Sequence, residues 1–311
     1  MCVGDVLILE ENQGSYQLSV ISYQYSTCYT LRMKNHTVHN GHIGLHVTTY
    51  GTPTAPAIML LHGFPDTGDG WRPVADLLAS SWYVIVPDGR GIYRSDAPSD
   101  VRAYTIDQLV ADVLTIAEQL IPQRLFTLVG HDWGGVVAWA TVSLHPHRIA
   151  RAVICNAPHP AVFLDALDHD EAQRDASRYI SALRSDGFEE RFAHNDYAIP
   201  LGAFASVALT PHQKDHLRAA WGRPGRIRGA LNWYRAADFA LAGGSCDIPI
   251  PDGHVPIDLL WSEHDGALLV SLAERHHTTM PWLPVTVVHD ADHWLPWTHP
   301  HTIATLITTS S

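Results

Sequence analysis

The stretch Leu125-Phe126-Thr127-Leu128-Val129-Gly130-His131-Asp132-Trp133-Gly134-Gly135-Val136-Val137-Ala138 leaves the chain few ways to fold. An apolar run enters Gly-His-Asp-Trp-Gly-Gly, and a second apolar pattern with helical spacing follows at once. That order reads as strand, sharp turn and helix, with small residues flanking one central side chain. The G-x-S-x-G elbow has the same form, because its strained turn lifts a nucleophile clear of a sheet. Glycine at the flanks lets strand and helix approach closely and lets the turn take unusual backbone angles. Here the central residue is Asp132 rather than serine.

The rest of the chain supplies the sheet such a turn requires. Two alternating runs, His36 to His39 and His42 to Thr49, meet at Asn40-Gly41, a strong hairpin signal. Ala57 to Leu61 is a continuous apolar run, as in a strand buried on both faces, and empties into His62-Gly63-Phe64-Pro65. Helical patterns near Trp71 to Ala79 and Ile106 to Leu120 flank a strand at Tyr83 to Val86. After the elbow come a helix from about Val136 to Leu144 and a strand at Ala152 to Cys155. The alternation then stops. Residues 157 to 243 are helical material rich in Ala, Arg and Asp, closed by the Gly243 to Pro251 linker. Strands at Ile257 to Trp261 and Val285 to Val288 resume it, with helices near Ala267 to His276 and Thr302 to Thr308.

This pattern predicts an α/β fold: a mostly parallel central sheet flanked by helices on both faces, with an inserted helical cap. The expected divisions are an extension at 1–30, a core at 31–157 and 250–311, and a cap with its linker at 158–249. An extra strand is expected at Ser19 to Tyr25. The cap follows the strand after the elbow, where it would roof the carboxyl ends of the strands.

Composition narrows the function. The formal charge of −12 argues against nucleic acid and anionic lipid as partners. No run approaches the ~20 apolar residues of a membrane span, and Asp5, Glu10 and Glu11 interrupt any signal-peptide pattern. Cys2, Cys28, Cys155 and Cys246 form no CxxC pair, which predicts a reduced, cytoplasmic protein. The histidine groups His36/His39/His42, His276/His277 and His289/His293 lack the spacing of a metal motif, so no metal is expected.

Polar residues at the strand ends carry the chemistry. Asp132 follows one strand, Asp265 follows Trp261-Ser262-Glu263-His264, and His293 follows Val288-His289-Asp290-Ala291-Asp292. Nucleophile, acid, histidine is the chain order of the α/β-hydrolase fold. An aspartate, with a pKa near 3.9, is ionised at neutral pH and needs no base to activate it. Its attack on an ester or amide would give a high-energy anhydride. Epoxides and alkyl halides are better matched, and either would leave an alkyl ester on Asp132. His293 would then draw a proton from water, with Asp265 orienting the imidazole. Asp290 and Asp292 are nearer in sequence, but neighbouring side chains on one loop point apart. The backbone N–H groups of Phe64 and Trp133 would receive the oxyanion.

His62-Gly63-Phe64-Pro65, Gly130-His131-Asp132-Trp133-Gly134-Gly135, the acid loop ending at Asp265 and Asp292-His293-Trp294 resemble the α/β-hydrolase-fold epoxide hydrolases, over about residues 35 to 305. Leu231-Asn232-Trp233-Tyr234-Arg235 matches that family's lid motif. The resemblance implies that Tyr234 and Tyr179 hold the epoxide oxygen, and that no cofactor is needed. It implies a small apolar epoxide and water as substrates, and homodimerisation stays open. Two alternatives remain: a haloalkane or haloacid dehalogenase using the same three groups, and a non-catalytic ligand receptor on this fold. Trp133 suits a dehalogenase, but Phe64 stands where such enzymes carry Asn, and fluoroacetate-type relatives carry Arg after the nucleophile.

Overall fold

The computed structural model describes residues 33–309 throughout and, as backbone, residues 3–12 and 15–24. Residues 1–32 form one unit by their contacts and residues 33–311 another. In the first, β1 (Val3–Asn12) and β2 (Ser15–Gln24) pair antiparallel as a hairpin. The strand expected at 19–25 belongs to the longer β2, and Tyr25 lies outside the described residues. So do Cys2 and Cys28, whereas Cys155 and Cys246 are free thiols.

The second unit is built on eight strands. Their sequence order is β3 (Lys34–Asn40), β4 (Ile43–Tyr50), β5 (Ala57–Leu61), β6 (Tyr83–Pro87), β7 (Phe126–His131), β8 (Ile149–Cys155), β9 (Ile257–Ser262) and β10 (Val285–Val288). In space they run β10-β9-β8-β7-β5-β6-β4-β3. The β3–β4 and β4–β6 pairs are antiparallel and the other five parallel. Every residue of β5, β6 and β7 is buried, which is why these runs carry no polar alternation. The β3–β4 turn is Gly41-His42, one residue later than Asn40-Gly41, because Asn40 still pairs with Ile43. Gly41 supplies the positive φ of 60° that this turn needs.

Helices α1 (Arg72–Leu78), α2 (Ile106–Leu120) and α3 (Trp133–Leu144) join the first parallel strands. The stripe Leu109, Val110, Val113 and Ile116 of α2 is buried, as its helical spacing requires. Between β8 and β9 come α4 (Pro160–His169), α5 (Glu171–Ala176), α6 (Arg178–Arg184), α7 (Phe188–Ala203), α8 (Pro211–Trp221) and α9 (Arg226–Arg235). The path of α7 breaks at residues 194–197, where Asn195, Asp196 and Tyr197 have positive φ. Then follow α10 (Ser271–Thr279), α11 (Leu295–Thr298) and α12 (Pro300–Thr309). Among the described residues no helix is long and apolar enough to cross a membrane.

One predicted helix is displaced. It was expected from Ala267 but starts at Ser271, because the N–H groups of Ala267 and Leu268 both donate to Asp265 Oδ1. The helix predicted from Val136 starts three residues earlier, at Trp133, directly after the turn.

Candidate active site

Asp132 is the only residue between β7 and α3, at φ 52° and ψ −124°. A side-chain-bearing residue in such a region is strained by about 1–3 kcal/mol and persists only where its surroundings dictate it. The flanking glycines show how. A Cβ on Gly130 would lie 2.2 Å from the Gly134 carbonyl oxygen, and one on Gly134 would lie 2.1 Å from that of Leu61. Strand, turn and helix therefore touch backbone to backbone, and the side chain of Asp132 is thrown outward.

Its carboxylate meets the loop after β5. The Phe64 N–H donates to Oδ1 at 2.6 Å, and the Trp133 N–H, next along the chain, adds to the positive field at the carboxylate. A Cβ on Gly63 would stand 2.2 Å from Oδ1, so glycine alone fits there. His62 fixes this loop: its Nδ1 meets the Gly63 carbonyl at 2.9 Å and its Nε2 accepts from the Gly89 N–H at 3.0 Å. Burial pushes the Asp132 pKa up, and His293 and the two N–H groups oppose that rise.

His293 joins the two carboxylates. Its Nδ1 lies 2.7 Å from Asp265 Oδ2 and its Nε2 3.8 Å from Asp132 Oδ2. Burial alone would lower the imidazole pKa; Asp265, then Asp132 and Asp292, raise it to about 9. Asp265 keeps its charge in a buried place. Burial opposes ionisation, but His293 and the Leu268 and Ala267 N–H groups hold its pKa below the usual carboxylate range. Asp290 turns away to pair with His299 at 3.4 Å, and Asp292 accepts from the Trp294 N–H at 3.1 Å.

Two positioning groups were not singled out in the sequence. Asn156, directly after β8, is fully buried and donates its amide to Asp265 Oδ2 at 2.7 Å. Its own Oδ1 accepts from Ser262 at 3.0 Å, which fixes the direction of the amide. The signal was available: Asn156 is one more polar residue ending an apolar strand. The second is His131. Its Nε2 meets the His293 backbone carbonyl at 2.7 Å and its ring packs 4.7 Å from the imidazole. Burial, then the neighbouring His293 charge, lowers its pKa to about 3, so at neutral pH it donates as an uncharged ring.

Tyr179 on α6 and Tyr234 on α9 close the site from the insertion. Their ring centroids are 6.3 Å apart and the rings meet edge to face. Tyr234 is buried and stands edge-on to Phe64 and Trp133 at 5.1 and 5.0 Å. Burial and the Asp132 charge raise both phenol pKa values. Arg184 donates to the Tyr234 and Ala237 carbonyls, fastening α6 to the end of α9. A cavity of about 570 Å³ has Asp132, His293, Tyr179 and Tyr234 in its wall, with Leu183 and Phe192 among its apolar lining. Of the other histidines, His276 is engaged away from this site. His276 Nε2 accepts from the His159 N–H at 2.8 Å, and its Nδ1 meets the Leu272 carbonyl.

Comparison with known proteins identifies the family of the fold. Residues 56–300 match the family described as alpha/beta hydrolase fold. The AB hydrolase superfamily protein YfhM of Bacillus subtilis is 32% identical over 87% of this chain and 95% of its own length. Epoxide hydrolase 4 of Mus musculus is 30% identical over 84% of this chain and 74% of its own. A solved structure from a study titled "Novel epoxide hydrolases belonging to the alpha/beta hydrolases superfamily in metagenomes from hot environments" superposes with a TM-score of 0.77. It is 31% identical, covering 89% of this chain and 97% of that one. The chain belongs to the α/β-hydrolase-fold epoxide hydrolases. Within that family fold, a Bacillus megaterium epoxide hydrolase at 20% identity superposes equally well, with a TM-score of 0.77.

Proposed function

We propose that this chain hydrolyses epoxides to vicinal diols through an alkyl ester on Asp132. The observation that carries the reading is the pair of tyrosines, ring against ring, in the wall of the same cavity as the Asp132 carboxylate. Opening an epoxide leaves an alkoxide, far more basic than a phenolate, so a phenol is a competent proton donor.

Oδ1 of Asp132 is held by the Phe64 N–H, which leaves Oδ2 as the attacking atom. Oδ2 bonds to an epoxide carbon, the carbon–oxygen bond breaks, and its electron pair stays on the oxygen. Tyr179 or Tyr234 supplies that oxygen with a proton. The resting imidazole is charged, with a pKa near 9 sustained partly by Asp132. Esterification removes the Asp132 charge, which lowers that pKa and lets the proton return to the phenolate. Neutral His293 then takes a proton from water as the water attacks Cγ of Asp132. The oxyanion forms on Oδ1, facing the N–H groups of Phe64 and Trp133, where one donor is typically worth ~10²–10³ in rate. Collapse expels the diol oxygen, which takes its proton from His293.

The dehalogenase reading is less well served. A halide leaving group needs N–H donors, and the Trp133 ring stands instead edge-on against the Tyr234 phenol ring at 5.0 Å. A single turnover with excess enzyme in ¹⁸O-water separates the mechanisms. Label is expected in Asp132 and not in the first diol; label passing straight into that diol sinks the covalent route.

A further inference from the structure

Asp132, Tyr179 and Tyr234 line two cavities, not one. The larger, of about 570 Å³, reaches Arg191 and His264, which are exposed and so stand where it meets solvent. The smaller, of about 40 Å³, shares those three residues and no others with the larger. Its remaining wall is apolar: Trp133, Val136, Phe163, Phe239, Ala240 and Leu268 are among its members. A water needs about 10–15 Å³ of such volume, so this chamber holds roughly three or four non-hydrogen atoms.

The nucleophile and the two phenols are the groups that must meet the epoxide ring, so each ring carbon sends its substituent into a different chamber. Resting on the epoxide hydrolase reading, we propose that the substrate class is asymmetric epoxides. One ring carbon carries hydrogen or a short alkyl group, seated between Phe239, Ala240 and Trp133. The other carries a bulky apolar group that occupies the larger cavity and tolerates a polar end where that cavity opens to water. Phe239 and Ala240 belong to the turn that follows α9 at Asp238–Ala240, so this short segment sets the size limit.

The test holds one arm constant and lengthens the other: styrene oxide, trans-β-methylstyrene oxide and trans-stilbene oxide. The methyl compound is expected to keep kcat/KM within about threefold of styrene oxide, and stilbene oxide to lose about 100-fold, in the range a tight apolar pocket discriminates. Phe239→Ala, which enlarges the chamber, should raise the stilbene-to-styrene ratio at least about tenfold, and Ala240→Leu should lower the methyl-to-hydrogen ratio by a similar factor. These are ratios within one variant, so a loss of folded enzyme cancels. Diol formed from all three epoxides at similar efficiency, or ratios that neither variant moves, overturns the two-chamber proposal alone. No diol from any of them overturns the epoxide reading on which it rests.

Discussion

Asp132, Asp265 and His293 stand on loops leaving a parallel sheet, whereas Tyr179 and Tyr234 stand on helices inserted between β8 and β9. The first set is fixed by backbone. Glycines press Asp132 against β5, and two N–H groups plus Asn156 hold Asp265. The second set reaches the core through long side chains. Trp221 donates to the Pro65 carbonyl at 2.8 Å, Trp233 to that of Arg90 at 2.8 Å, and Trp294 of the core to Ala203 at 2.6 Å. Each such bond contributes only about 0.5–1.5 kcal/mol net. The contrast teaches where each property resides. On the proposed mechanism, the nucleophile and the groups that hydrolyse its ester belong to the sheet, and the groups that protonate the opening epoxide belong to the insertion.

Substitutions that stall one half of the reaction without the other test that division. His293→Gln keeps Asp132 free to attack but removes the base, so turnover is expected to fall by about 10³. Mass spectrometry of the quenched protein should find the alkyl ester accumulating on Asp132. An unmodified Asp132 in a folded His293→Gln protein would break the assignment of His293 to the second half. Tyr234→Phe should slow ester formation by about 10² while ester hydrolysis holds its rate. Rapid-quench kinetics that found hydrolysis slowed instead would move the tyrosine to the wrong side of the comparison.

Asn156→Leu is the finest probe. It removes one donor from Asp265 without touching substrate, and about tenfold slower ester hydrolysis is expected, equivalent to one pK unit of imidazole support. It also has a signature in stability. The Asp265 pKa is depressed below its unfolded value, so its ionised form stabilises the fold above about pH 3.9, and that contribution is lost as pH falls through the folded pKa. With Asn156 gone, burial raises the folded pKa, and the acid-unfolding midpoint should move to higher pH. An unchanged midpoint together with an unchanged hydrolysis rate would reduce Asn156 to a packing residue.

Much of this was legible in one dimension, for identifiable reasons. Helix α2 runs from Ile106 to Leu120 as its apolar period predicts, because it packs along a single face. The region from Asp265 to Val270 misled, since a carboxylate that must be ionised recruits the N–H groups a helix would otherwise have used. Arg184 reads in the sequence as a polar interruption beside Tyr179. In the fold it satisfies carbonyls at the end of α9 and so ties the helix of Tyr179 to that of Tyr234. Asn156 escaped because its partners, Asp265 and Ser262, lie 109 and 106 residues away.

The sequence by itself determined the parallel sheet, the turn that must carry a side chain on strained backbone, and the identity of that side chain as a carboxylate. Those are local properties: burial periodicity, glycine spacing and the intrinsic charge of aspartate. Only the tertiary structure decided that Asn156 holds Asp265, that the two phenol rings meet each other, and that Asp132 opens onto one large chamber and one small one. Each of these depends on distances between segments far apart in the chain, and a residue pattern carries no information about such distances until packing has set them.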